Sequence, residues 1–272
     1  QYIGERVDRT TQDYITSKID HRFSDADSLF GRFTSENSQQ LLPRLSSAGD
    51  NRTKTRLFAI EHTHLFSATL LSRTHFSFNR TRPSNVDVPL EGYSFPDFSF
   101  KDTRAQGTIG VTGLDSIGGD TRNPNILTQN NFDYKEDVVW NHGKQAMKFG
   151  AQFERLQFNL FSGFQAGGSY AFGSVAEFLR ADPTSFTVTK PGSDSVRGIR
   201  QSLFGFYYQD DIKLASTFTF NIGLRYEFVT VPKEVNGKIS VIKDLSAARL
   251  YSVRPDTMDV GGDYMKNPSL KN

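Results

Sequence analysis

Residues 202–229 read SLFGFYYQDDIKLASTFTFNIGLRYEFV. In the second half Phe218, Phe220, Ile222, Leu224, Tyr226 and Phe228 alternate with Thr219, Asn221, Gly223, Arg225 and Glu227. A period of two is the strand period, because successive side chains of an extended chain point to opposite sides. The first half is a second aromatic strand ending in charges, and Lys213 to Thr217 supplies a tight turn between the two. A soluble strand needs its aromatic face covered by a core. A membrane wall needs only lipid on that side and water on the other.

Composition agrees with a wall of two unlike faces. The 272 residues include 24 Phe and 10 Tyr, yet 23% are charged and mean hydropathy is −0.49. A formal net charge of +2 gives no electrostatic case for a nucleic-acid partner. With no cysteine there are no disulfides, zinc–thiolate sites or cysteine nucleophiles. No apolar run approaches the ~18 residues of a membrane helix, so a membrane span has to be β.

Strands are predicted over 11–23, 28–37, 54–66, 69–80, 131–141, 144–161, 199–213 and 217–231. Long external loops are predicted over 38–53, 81–130, 162–198 and 232–272, with short turns at the other end of each hairpin. His142-Gly143 suits a primed hairpin turn, since glycine adopts positive φ at no steric cost. Within 162–198, Ser174-Val175-Ala176-Glu177 is a capping-box pattern that predicts one or two helical turns. Short turns alternating with long loops are the arrangement of outer-membrane barrels. Compact soluble domains rarely hold a structureless connection as long as 81–130. The expected fold is all-β: an antiparallel up-and-down transmembrane β-barrel segment of about eight strands, open between the first and last as an incomplete part of a larger barrel. The alternative is a soluble or surface-exposed β-sandwich serving as a binding or adhesion module.

YYQDDIKLASTFTFNIGLRYEF resembles the strand–turn–strand of TonB-dependent receptors, through Tyr208, Gln209, Asp210 and Asp211, then Asn221, Gly223, Leu224, Arg225 and Tyr226. Ile19 to Phe33, Phe66 to Arg80, Trp140 to Asn159 and the Gly107 to Gly119 stretch look like the Oar-like subgroup of that family. The resemblance implies transport of a scarce ligand across the bacterial outer membrane. Its implied partners are outer-membrane lipid, an unidentified transported ligand and a TonB-type energy-coupling complex. Contact with that complex would pass through a plug and TonB box that this sequence does not contain.

Several residue groups invite sharper chemistry. His62, His64 and His75 fall on neighbouring strands; a two-residue turn would set His62 opposite Arg73 on the face of His75, where a cation is disfavoured. Asp210 and Asp211 are strand neighbours pointing to opposite sides, so they are expected as a solvated or hydrogen-bonded strand end rather than a carboxylate pair. Asp115 and Asp120 lie among glycines without EF-hand spacing, and Gly107, Gly110 and Gly113 lack the lysine and helix of a phosphate loop. Arg225 and Glu227 share a face and are expected to form a lumen charge pair. No Gly-x-Ser-x-Gly or His-Glu-x-x-His occurs. The expectation is therefore no enzyme, no catalytic, cofactor or metal-ligating residue, and no cofactor; substrate-binding residues are left unassigned.

The facing is testable directly. Arginine at Ile222 should cost about 2–4 kcal/mol of folding stability in lipid vesicles if that position lies near the bilayer midplane, and arginine at Asn221 much less. A large penalty at Asn221 with little at Ile222 would reverse inside and outside.

Overall fold

The computed structural model describes residues 7–89, 107–190, 192–242 and 258–260. In chain order its elements are β1 (Arg9–Arg22), β2 (Asp27–Pro43), β3 (Ser47–Ser67), β4 (Leu70–Pro89), β5 (Thr108–Val111), β6 (Ile117–Gly118), β7 (Asn125–His142) and β8 (Gln145–Ser162). There follow β9 (Ser169–Phe172), α1 (Val175–Leu179), β10 (Ser185–Thr187), β11 (Val196–Ala215), β12 (Phe218–Val229), β13 (Lys233–Glu234), β14 (Ser240–Ile242) and β15 (Met258–Val260). Eight long strands form one antiparallel meander in the order β1-β2-β3-β4-β7-β8-β11-β12, with β13 added beside β11. Among the described residues no pairing joins β1 to β12, so the sheet is open there.

Register carries one residue class across the whole wall. Ile19, Gly31, Ile60, Phe76, Tyr134, Phe153, Phe204 and Phe228 are successive cross-strand neighbours. The ring centroids of Phe204 lie 5.0 Å from Phe153 and 4.9 Å from Phe228. The adjoining row on the opposite face is Asp20, Phe30, Glu61, His75, Lys135, Gln152, Gly205 and Glu227. One face is thus ringed by aromatics and the other is mostly polar, as a lipid-facing and a lumen-facing surface require.

Burial is inverted relative to a water-soluble domain. Ile222 is 51% and Leu224 73% exposed, and Phe220, Tyr226 and Phe228 are exposed with them. Among the described residues the buried apolar side chains are only Ala48, Ala59, Val111, Met147 and Phe172. A β-sandwich would bury the aromatic face under a second sheet of comparable area. The chain builds one wall instead, and the sandwich alternative falls.

The strands reach further outward than their period predicts. The loop expected over 38–53 is mostly strand: β2 runs to Pro43, β3 begins at Ser47, and only Arg44-Leu45-Ser46 connects them. Gln39 pairs with Arg52 and Leu41 with Asp50 in this extension. Beyond lipid both faces meet water, so no apolar alternation marks the strand and polarity alone reads as loop. The loops over 81–130 and 162–198 shrink likewise, because β4 reaches Pro89, β7 starts at Asn125 and β11 starts at Val196. The β4–β7 ladder is interrupted between Thr81 and Ser84, beside Pro83, which has no N–H to donate. Of the loop expected over 232–272, residues 243–257 and 261–272 lie outside the described residues, as do 90–106 of the second loop.

On the lumen face Tyr207 pairs with Gly150, which pairs in turn with Asp137. A Cβ at Gly150 would stand 2.3 Å from the carbonyl oxygen of Glu136 and 2.7 Å from Tyr207 Cε1. The tyrosine ring thus occupies the space that a side chain at 150 would need, an aromatic covering of a strand glycine. By contrast, a Cβ at Gly31 would meet nothing within 4 Å. Gly150→Val should therefore destabilise the wall by about 1–3 kcal/mol through overpacking, measured by denaturant titration in detergent, while Gly31→Val stays near wild type. Equal effects at the two positions would contradict the tyrosine–glycine fit.

Candidate functional site

The outward end of the wall carries a built cap. β5, β6, β9 and β10, all drawn from the two long connections, form a four-stranded sheet in the order β10-β9-β5-β6. Its central pair, β5 and β9, is parallel: Thr108 aligns with Ser169 and Val111 with Phe172. Tyr170 stacks on Phe186 at 4.4 Å, and Phe172 meets Phe178 of α1 edge-on at 5.3 Å. The helix starts as the capping pattern predicts, with Glu177 N–H donating to Ser174 Oγ at 3.1 Å. The Glu177 carboxylate reaches one residue further back than expected, accepting from Gly173 N–H at 2.8 Å.

This sheet corrects the expectation of irregular loops. The strands are 2–4 residues long, too short for a period to declare itself. The glycine-rich run serves close packing: Gly118 has φ +101°, and a Cβ there would lie 2.1 Å from the carbonyl oxygen of Gly107. Only glycine fits both conditions.

A charge clamp ties the cap to the wall. Arg44, in the short β2–β3 connection, holds Asp87 at 2.8 Å and Asp120 at 3.1 Å through its two terminal nitrogens. Asp87 also accepts from Asp120 N–H at 2.9 Å and Asn123 Nδ2 at 3.0 Å. Asp120 is gripped from its other side by Arg122 at 2.8 Å. These hydrogen bonds from Arg122 outweigh partial burial and hold the Asp120 carboxyl down at about 2. Ser47, fully buried, donates to the Gly118 carbonyl at 2.9 Å, and Ser46 Oγ accepts from Gly118 N–H at 3.0 Å. Leu42, Arg44, Asn51, Asn85, Asp120 and Asn123 help line a polar cavity of about 240 Å³ beside the clamp.

On the lumen face a second cavity of about 280 Å³ is lined by Lys135, Asp137, Gln152, Tyr207 and Arg225. Tyr207 OH donates to Asp137 Oδ1 at 2.5 Å, and Arg225 Nε donates to Glu227 Oε1 at 3.0 Å, the expected lumen pair. Each cavity presents donors and acceptors of both charges, suited to polar solutes.

Other sequence expectations fare unevenly. Asp210 is a hydrogen-bonded strand end, one of the two expected states: only 2% exposed, it accepts from Gln145 Nε2 at 2.8 Å and Tyr208 OH at 3.2 Å. Asp120 spends its carboxylate on two arginines, whose charges oppose a cation, while Asp115 sits exposed in the adjoining turn. His62 does not oppose Arg73: it pairs with Thr74, and Arg73 pairs with Thr63. The turn is Ala68-Thr69, and a bulge between Leu65 and Ser67 resets the register. His75 therefore lies on the lumen face, 3.5 Å from Glu61, away from the other two histidines. Arg44, Ser46, Ser47, Asp87 and Asn123 were not singled out in the sequence. Their only signal was polarity inside segments read as loops.

Residues 1–270 match the family model described as outer membrane beta barrel domain. No curated protein matches the sequence. Among solved structures, the chain is similar to the outer membrane transporter YddB from Escherichia coli, at 14% identity and a TM-score of 0.53. The likeness covers 84% of this chain and 29% of that one, so the chain spans less than a third of its relative's length.

The clamp has a pH signature. Asp120 has a lowered folded-state value, so its contribution is present in full above the ordinary carboxylate value of 3.8 and is lost as pH falls towards about 2. Protection of the Gly118 and Gly119 amides from hydrogen exchange, taken relative to the intrinsic rate at each pH, should thus be high at pH 5 and fall below pH 4. Arg44→Ala should lower it at least ~10-fold at pH 5 with the β7–β8 amides unchanged. Unaltered exchange in that variant would mean that the cap is held by its backbone pairing alone.

Proposed function

We propose, given that the chain belongs to the outer membrane beta barrel domain family, that it builds part of the wall and the outward cap of a TonB-dependent transporter importing a scarce ligand. Its place is the bacterial outer membrane. The observation that carries the reading is the cap: two long connections from different hairpins joined into one sheet and clamped by Arg44 to the wall. A wall serving only as an anchor needs no such structure. Loops held on a rigid scaffold are where binding surfaces are built, since they vary without disturbing the ladder.

The remaining support is of two kinds. Among the described residues the edges of β1 and β12 are unpaired, leaving backbone groups that lipid cannot satisfy, which favours an arc within a wider barrel of about 22 strands. The Tyr208 to Tyr226 hairpin resembles TonB-dependent receptors, and the similar solved structure is named a transporter. In this reading the ligand is caught by the cap and passes a polar lumen, with energy delivered from the inner membrane. Iron chelates, cobalamin, glycans and peptides all suit such a path. Growth of a deletion strain on single candidates of these classes identifies the one taken.

Replacing residues 90–123 by a short Gly-Ser linker should abolish uptake of that ligand while the barrel still assembles, judged by heat-modifiable migration in gels. Loss of the inner-membrane energy-coupling complex should abolish uptake equally in the unaltered protein. Uptake that survives the loop replacement sinks capture by the cap; uptake that survives loss of the complex sinks energy coupling.

A further inference from the structure

Near the short-turn end the lipid-side face carries a polar patch with the donor set of a metal centre. His62 and His64 are two residues apart on β3, so both rings leave the same side of the strand. Asp27, the first residue of β2, is the direct cross-strand partner of His64. One carboxylate oxygen, Asp27 Oδ1, lies 3.1 Å from His62 Nε2 and 2.6 Å from His64 Nδ1. All three donor atoms fall within 4.8 Å of one another.

The donors are held in place from behind. Asp27 Oδ2 accepts from Ser24 Oγ at 3.0 Å, and Ser24 Oγ in turn accepts the Ala26 and Asp27 amides at 3.1 and 3.0 Å. The turn therefore fixes the carboxylate with Oδ1 facing the histidines. The His64 ring is set edge-on against Phe66 at 4.3 Å. Such outer contacts orient ligands and sharpen affinity. Arg73 and His75 both turn away to Glu61 on the lumen face.

The geometry points to Asp27, His62 and His64 as a binding site for one divalent transition-metal cation, open to water or a further ligand at the wall's short-turn rim. Two imidazoles and one carboxylate, on one side of the metal with free positions opposite, are the donor set of zinc and iron(II) centres rather than of calcium or magnesium. The three side chains are only half-buried, which leaves the open positions accessible. A bound cation would bring the Asp27 carboxylate and the two ring nitrogens together as one coordinated set.

The test uses tag-free, full-length protein in detergent. Cobalt(II) added to metal-free protein should give visible d–d absorption saturating at one equivalent, and zinc should displace it. His62→Ala and His64→Ala should each weaken zinc binding at least ~10-fold, and Asp27→Asn, which keeps the turn's hydrogen bond to Ser24, should do the same. His75→Ala, on the lumen face, should bind as wild type. Heat-modifiable migration confirms that each variant is folded. Absent cobalt absorption in the wild-type protein, or equal zinc affinity in the folded Asp27→Asn variant, would overturn the site and leave a hydrogen-bonded cluster only.

Discussion

Backbone polar groups inside a bilayer have no water to turn to, and this requirement organises the molecule. Every wall strand is paired along nearly its full length, from Arg9↔Leu41 at one edge to Leu203↔Val229 at the other. Once the ladder is continuous, the pleat sends alternate residues to lipid and to lumen. Phe153 and Gln152 are neighbours in sequence yet belong to different solvents. The small buried apolar core follows from the same cause. Rings that a soluble domain would hide are used here as the outer surface, where hydrocarbon takes the place of a core.

Register then decides which side chains meet. The bulge at Leu65 to Ser67 shifts β4 against β3 by one residue relative to a simple two-residue turn. A shift of one exchanges the faces of every partner. It removes His75 from opposite His62 and puts Thr74 there, while Asp27 meets His62 and His64 through the separate β2–β3 register. A local irregularity near a turn thus decides that His75 faces the lumen beside Glu61 rather than joining the other two histidines.

The cap depends on a different force. Its backbone pairing brings together segments some sixty residues apart, as in Thr108 with Ser169. Its attachment to the wall is ionic, through Arg44, Asp87 and Asp120, where partial burial lowers the screening that weakens exposed pairs. Above the membrane, water covers both faces, and charges can do what aromatic rings do below.

The alternation from Phe218 to Phe228 was enough by itself to set strand type, lipid-facing side and the hairpin with 202–213, because side-chain direction in an extended chain depends only on position parity. The capping box at Ser174 was legible for a like reason: its partners are three residues apart. The strand extensions over 38–53 were not legible, since a strand with water on both sides carries no hydropathy period. The cap sheet, the clamp on Asp120 and the convergence of Asp27 with His62 and His64 were decided by tertiary structure alone. Each joins residues whose distance along the chain is unrelated to their distance in space, and only the completed ladder determines which of them become neighbours.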